Sequence, residues 1–211
     1  MKFRTKRCVF AFVVGVLSLV VIHLTPAISV ATDLSLVGGS DIGMPTMKIN
    51  GASVPGKTNP TFGGGALIDF RLNMALGLQL GALYMPRSSI NTSNTPNVTT
   101  TVDTLQVPVL LRIRLLPAVS LGAGAYYAFG IGNVTTTING NSSTQSYAKA
   151  NMTTSDYGLV GSLAVNLPLS QRVAFLVDAR YLYGLQNNST TSSIKLNWAD
   201  VQVLAGLMIH L

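Results

Sequence analysis

Six charged residues in three short stretches carry most of the chemistry in this chain. Asp69 and Arg71 stand two apart in IDFR, Arg112 and Arg114 two apart in VPVLLRIRL, and Asp178 and Arg180 two apart in VDAR. Side chains alternate between the faces of an extended strand, so residues two apart share a face. Each stretch sets a charged pair on one side and apolar residues on the other. Carboxylates and guanidiniums gathered from different strands would neutralise one another in a salt-bridge network. Four arginines against two aspartates would lean any passage between them towards anions.

Other reactive groups are few. His210 is the last residue but one, at a strand end with no Ser–His arrangement near it. A lone His without Glu or Cys makes a poor metal site, and the chain has no Glu. The glycine-rich stretches GGG (63–65) and GAGAYYAFGIG (122–132) lack a following helix. They read as strand bends and close packing, not phosphate loops. The expectation is no catalytic residue, no metal and no cofactor.

The N-terminal segment explains much of the charge. Lys2, Arg4, Lys6 and Arg7 precede the apolar CVFAFVVGVLSLVVIHL, and Ser29-Val30-Ala31 offers small residues for cleavage. That is the plan of a secretory signal peptide over 1–31, cleaved after Ala31, with a retained membrane anchor as the alternative. Cleavage removes four of the fourteen basic residues and none of the seven acidic ones, so the net charge falls to 10 − 7 = +3. The basic pI is then a property of the leader, and nucleic acid is not an expected partner. Cys8, the only cysteine, leaves too, and with it any disulfide or thiolate chemistry.

Residues 32–211 form the second unit. Only 10% of the whole chain is charged, against about a quarter in soluble domains. Beyond the leader, no apolar run is long enough for a spanning helix. Eight segments instead show period-two patterns: 34–44, 61–71, 74–85, 102–115, 118–132, 155–167, 172–185 and 198–211. The connections between them alternate in length. Those at 45–60, 86–101, 133–154 and 186–197 are long and rich in Pro, Gly, Asn, Ser and Thr, and the others are tight turns. Up-and-down antiparallel strands place alternate connections at opposite ends, and outer-membrane barrels keep the short turns at the periplasmic end. The pattern predicts an all-β fold, an eight-stranded antiparallel up-and-down transmembrane β-barrel with both termini at the short-turn end.

Face assignment decides which solvent each side meets. Val173, Phe175, Val177, Ala179, Tyr181 and Tyr183 share one face, with Ala174, Leu176, Asp178, Arg180 and Leu182 on the other. In the strands at 61–71, 74–85, 172–185 and 198–211 the charged or amide residues keep to a single parity. A barrel in lipid turns the apolar face outward and packs small residues and compensated charges inside, where eight strands leave just enough room for side chains. Asp69, Arg71, Arg112, Arg114, Asp178 and Arg180 are therefore expected to point inward. The aromatics Tyr84, Tyr127, Phe129, Tyr157, Tyr181, Tyr183 and Trp198 cluster towards the long-loop ends, as an interfacial girdle would.

The stretch from Val37 onward resembles the small outer-membrane β-barrel domain proteins of the PorT-like group and, more broadly, OmpX-type barrels. The likeness rests on the G-x-x-x-G of Gly39 and Gly43, on LGALYMPRS, and on LQVPVLL, similar to the L-x-V/I-P-x-L of that group. The chain departs from it at Gly81, where many relatives carry Glu, and at Leu211, where many barrels end in an aromatic. The resemblance implies an outer-membrane location, with outer-membrane lipids and the barrel-assembly machinery as partners.

Three functions compete. A structural or surface-interaction barrel would work through extracellular ligands of its four long loops. A narrow, anion-leaning pore would use the inward arginines. A secreted lipocalin-like barrel would need the apolar face to point inward.

Overall fold

The computed structural model describes residues 32–54, 56–91 and 98–211; the leader read in 1–31 lies outside them. Eight antiparallel strands run β1 (Thr32–Gly43), β2 (Pro60–Arg71), β3 (Leu76–Tyr84), β4 (Val98–Leu116), β5 (Val119–Ile138), β6 (Ser155–Pro168), β7 (Val173–Gly184) and β8 (Ala199–His210). Each pairs with its neighbour in sequence, and β1 pairs with β8, so the sheet closes on itself without an edge. At the seam Asp33 faces His210 and Asp41 faces Gln202.

Three tight turns hold the lower end. Asn73 Oδ1 accepts the backbone N–H groups of Ala75 and Leu76, and Ser170 Oγ accepts those of Arg172 and Val173. Both are side-chain mimics of a backbone turn. Between β4 and β5 only Pro117 and Ala118 intervene.

The faces sort as the period-two pattern predicts. On β4 Val109, Leu111 and Ile113 are exposed, while Pro108, Leu110 and Arg112 are buried. On β6 Tyr157, Leu159 and Leu163 are exposed, and Asp156, Val160, Ser162 and Ala164 are buried. The exposed face of β7 from Val173 to Tyr183 spans about 26 Å at ordinary strand rise and tilt, matching the apolar band of such barrels. Leu72, Met74, Leu116, Leu169 and Leu211 lie exposed at its lower margin.

Glycines allow the wall its curvature. A Cβ on Gly39 would sit 2.0 Å from the Val203 carbonyl oxygen, and one on Gly124 would sit 2.0 Å from that of Val109. At Gly81 a Cβ would come within 2.5 Å of Leu67 Cδ2. Leu67, fully buried, fills the space beside Gly81.

The long connections differ from the coil expected of them. Strands β4 and β5 continue past the barrel as a threonine-rich ribbon, with Thr99, Thr100 and Thr101 opposite Thr137, Thr136 and Thr135. Arg87–Asn91 and then Gly56–Thr58 extend this sheet on one side, and Asn141–Gln145 extends it on the other. A second sheet joins Ile194–Asn197, Thr46–Ile49 and Ala52–Val54. The pairing of β4 with β5 slips between Val102 and Thr104, opposite Gly132 at φ +87°. That bulge lies where the wall becomes the outer ribbon, and bulges bend a strand and raise its twist.

The exposed face of β4 can be tested directly. Leu111→Arg should lower folding stability by about 2–4 kcal/mol near mid-membrane, read by urea titration in lipid vesicles, with Leu111→Ile close to neutral.

Candidate functional site

The lumen is filled in layers, and its centre is a single hydrogen-bonded network. Arg112 Nη2 donates to Asp178 Oδ2 (2.5 Å) and to Gln79 Oε1 (2.8 Å). Arg180 Nη2 donates to the same two acceptors at 2.8 and 2.7 Å. Gln79 Nε2 donates to Asp69 Oδ2 (2.9 Å), and Ser162 Oγ to Asp178 Oδ1 (2.7 Å). Arg112 Nε lies 3.6 Å from Asp69 Oδ1. The network draws on β2, β3, β4, β6 and β7, so it crosses the barrel rather than lining one wall. Two guanidiniums and two carboxylates balance, as buried charge must.

Apolar side chains pack between the polar layers. Val37, Leu67, Leu83, Met85, Leu176, Leu204 and Met208 belong to one cluster. Leu110, Tyr126, Ala128, Val160 and Leu182 form another. At the short-turn end Arg71 holds Asp33 through Nε and Nη2 (3.0 and 2.8 Å), and His210 Nδ1 lies 2.7 Å from Asp33 Oδ1. This trio clamps β1, β2 and β8 across the seam. His210 Nδ1 lies between Arg71 Nη2 (3.0 Å) and Asp33 Oδ1, so its ring serves the seam contact.

The upper lumen is built around Arg87. Its Nη1 donates to Asp156 Oδ2 (2.6 Å), and its Nη2 lies 2.7 Å from Asp200 Oδ2. Its guanidinium carbon is 5.5 Å from the Tyr126 ring centroid and 5.7 Å from that of Trp198, within cation–π range. Tyr126 donates its hydroxyl to Asp156 (2.9 Å), and Asn188 Nδ2 adds a bond to the other oxygen (3.2 Å). Just beneath, Gln202 Nε2 bridges Asp41 Oδ2 (2.7 Å) and Gln106 Oε1 (2.9 Å). Val102, Val134, Tyr147 and Trp198 cap the mouth. The Tyr147 hydroxyl donates to the Asp103 carbonyl oxygen (3.1 Å). Burial, with the Asp103 carboxylate nearby, pushes its pKa up to about 12, so it stays a donor.

Asp69, Arg112, Asp178 and Arg180 thus meet in the central layer, and Arg71 pairs one layer lower. Two placements differ from expectation. Arg114 does not meet Asp69 or Asp178: its Nη1 donates to the Asn73 carbonyl oxygen at the lower rim (3.3 Å). It sits one strand repeat below Arg112, too low for the central carboxylates. Trp198 is not an interfacial aromatic, being 3% exposed. It precedes β8, where the chain folds over the mouth and turns the indole onto Arg87. Tyr84, Tyr127, Phe129, Tyr157, Tyr181 and Tyr183 are exposed on the outer face, and Phe62, absent from the predicted set, is exposed with them. Register brings Tyr157 opposite Tyr127, and Tyr127 packs on Phe129 at 4.6 Å between centroids.

The predicted set also lacked Asp33, Asp41, Asp156, Asp200 and Arg87. Among the described residues the lumen holds six aspartates, these four with Asp69 and Asp178, against Arg71, Arg87, Arg112, Arg114 and Arg180. The excess of arginine that suggested anion preference is therefore absent. The four further aspartates were legible, because each falls on its strand's inward parity. Arg87 was not, because it follows β3 in a connection with no pattern to read.

Residues 30–190 match the family model described as outer membrane protein beta-barrel domain. No curated protein matches. The solved structure of the outer membrane protein OprG from Pseudomonas aeruginosa is similar in fold, with a TM-score of 0.55 and 14% identity, covering 86% of this chain and 96% of that one. Ail of Yersinia pestis (TM-score 0.43, 15% identity, 83% and 97% covered) and Neisserial surface protein A (0.45, 14%, 83% and 97%) are more distant in shape.

Two substitutions probe the layers. Asp178→Ala should cost about 3–5 kcal/mol by stranding two guanidiniums, and pairing it with Arg112→Ala should cost less than the sum of the single changes, read by urea unfolding in vesicles. Arg87→Leu should destabilise by a similar amount and shift emission of the chain's one tryptophan to longer wavelength as the indole loosens; an unmoved spectrum would place Trp198 elsewhere.

Proposed function

The chain belongs to the outer membrane protein β-barrel domain family and resides in the outer membrane, and from that premise we propose that it serves as a sealed mount for a structured surface-interaction platform. One observation carries this reading. The long connections fold into two β-sheets beyond the barrel, while the lumen beneath is packed with side chains. A transport protein needs the opposite economy, an open interior and permissive loops. The central Arg–Asp–Gln network and the Arg87 layer stand in any solute's path.

The exposed aromatics Tyr84, Tyr127, Phe129, Tyr157, Tyr181 and Tyr183 would seat this barrel at the outer lipid–water interface, where amphipathic rings are favoured. The platform then lies outside the cell and the three tight turns in the periplasm. Cleavage of the leader after Ala31 and insertion by the barrel-assembly machinery belong to the same proposal. Extracellular ligands would meet the segments 45–60, 86–101, 133–154 and 186–197. The anion-leaning pore draws little support from a lumen whose arginines do not outnumber its aspartates.

Orientation and sealing are both measurable. A membrane-impermeant maleimide should label Ser142→Cys on intact cells and should label Ser170→Cys only after the outer membrane is opened. Planar bilayers holding the protein should stay silent. Labelling of Ser170→Cys first, or steady conductance, would contradict the proposal.

A further inference from the structure

The outer sheets have an uneven charge. Six of the seven aspartates are buried in the lumen, and the seventh, Asp103, accepts the Tyr84 hydroxyl (2.9 Å) near the rim. The connections above carry Lys48, Lys57, Lys149 and Lys195, and among the described residues none of the four pairs with a carboxylate. Two of them are placed against each other. Where Thr46–Ile49 pairs with Ile194–Asn197, Lys48 stands directly opposite Lys195, and both are exposed. Met47 and Leu196, the next pair, occupy the other face and are half-buried.

Directly opposed residues on adjacent strands have side chains about 5 Å apart, and like charges there are destabilising. Nothing in the pairing demands two lysines, since the half-buried Met47–Leu196 face already sets the register. A dianionic group held between the two ammonium groups would turn the repulsion into attraction from both sides. We infer that Lys48 and Lys195 form a clamp for a phosphate monoester, carried on the saccharide portion of a phosphorylated glycolipid in the surrounding outer leaflet.

Reach and valence favour that occupant. Lys195 precedes Ala199, the partner of Tyr183, by four positions, a contour of at most about 13 Å. The headgroup layer adds only about 5–8 Å beyond the hydrocarbon on each side. The clamp therefore lies beyond the aromatic end of the wall, within reach of the phosphorylated sugars of a glycolipid. Two opposed charges match one phosphate, whereas a long free polyanion would call for a row of cations. The inference deepens the outward platform proposed above and rests on its orientation, which the Ser142→Cys and Ser170→Cys labelling checks on its own.

The test uses the full-length barrel in phosphatidylcholine vesicles and three probes: rough lipopolysaccharide with a phosphorylated core, the same glycolipid after phosphatase treatment, and dextran sulfate. Wild type should bind the phosphorylated probe more tightly than the other two, and less tightly as salt is raised. Lys48→Ala and Lys195→Ala should each weaken binding about fivefold, and the double change about 25-fold. Lys48→Glu is the decisive variant, because an opposite-charge pair supports the small sheet while removing the clamp. It should fold at least as well as wild type and still lose the phosphorylated probe. Unchanged affinity in Lys48→Glu, or equal binding of the dephosphorylated glycolipid, would overturn the clamp. Preference for dextran sulfate would overturn the glycolipid as its occupant.

Discussion

Hydrocarbon does not solvate charge, and that constraint orders everything else in this molecule. A strand crossing the bilayer must turn each charged side chain inward, and an eight-stranded barrel leaves no water-filled space to receive it. The guanidiniums therefore need carboxylates from other strands at matching heights. Asp178 is the clearest case: it takes hydrogen bonds from Arg112, Arg180 and Ser162, which come from β4, β7 and β6. Satisfying one buried carboxylate fixes the height of three strands. Because a one-residue slip would exchange the faces of a whole strand, the charges act as pins for the register of the closed sheet.

The same logic carries from one end of the lumen to the other. Asp33, Arg71 and His210 pin the seam between the first and last strands. The central network ties β2, β3, β4, β6 and β7, and Gln202, Asp41 and Gln106 span from the seam to β4. Arg87 extends the scheme beyond the wall. It belongs to an outer strand yet inserts between Asp156 and Asp200, so the outer sheet is anchored to the barrel by a buried ion pair. The outer strand that carries Arg87 is thereby tied to the wall.

Much of this was legible in the residues. Period-two alternation identified eight strands, and the long–short rhythm of connections gave their up-and-down order. Single-parity charges identified the inward face, because in lipid that choice has no cheap alternative. What escaped the reading depended on height or on tertiary contact. Arg114 shares a face with Arg112 but sits too low to share its partners. Trp198 looks like an interfacial aromatic until the chain before β8 folds over the mouth. The polar connections carry the turn residues of loops and also the threonines and serines of sheet, and only pairing with a neighbour decides between the two. Arg87 and the Lys48–Lys195 pair depended on such pairings.

The central claim is that β6 separates lipid from a packed lumen residue by residue. Nitroxide labels placed singly from 159 to 165, in vesicles, measure this through collision with dissolved oxygen. Labels at Leu159, Gly161, Leu163 and Val165 should show high accessibility, and those at Val160, Ser162 and Ala164 low, alternating without interruption. A flat profile, or high values at 160, 162 and 164, would contradict the account.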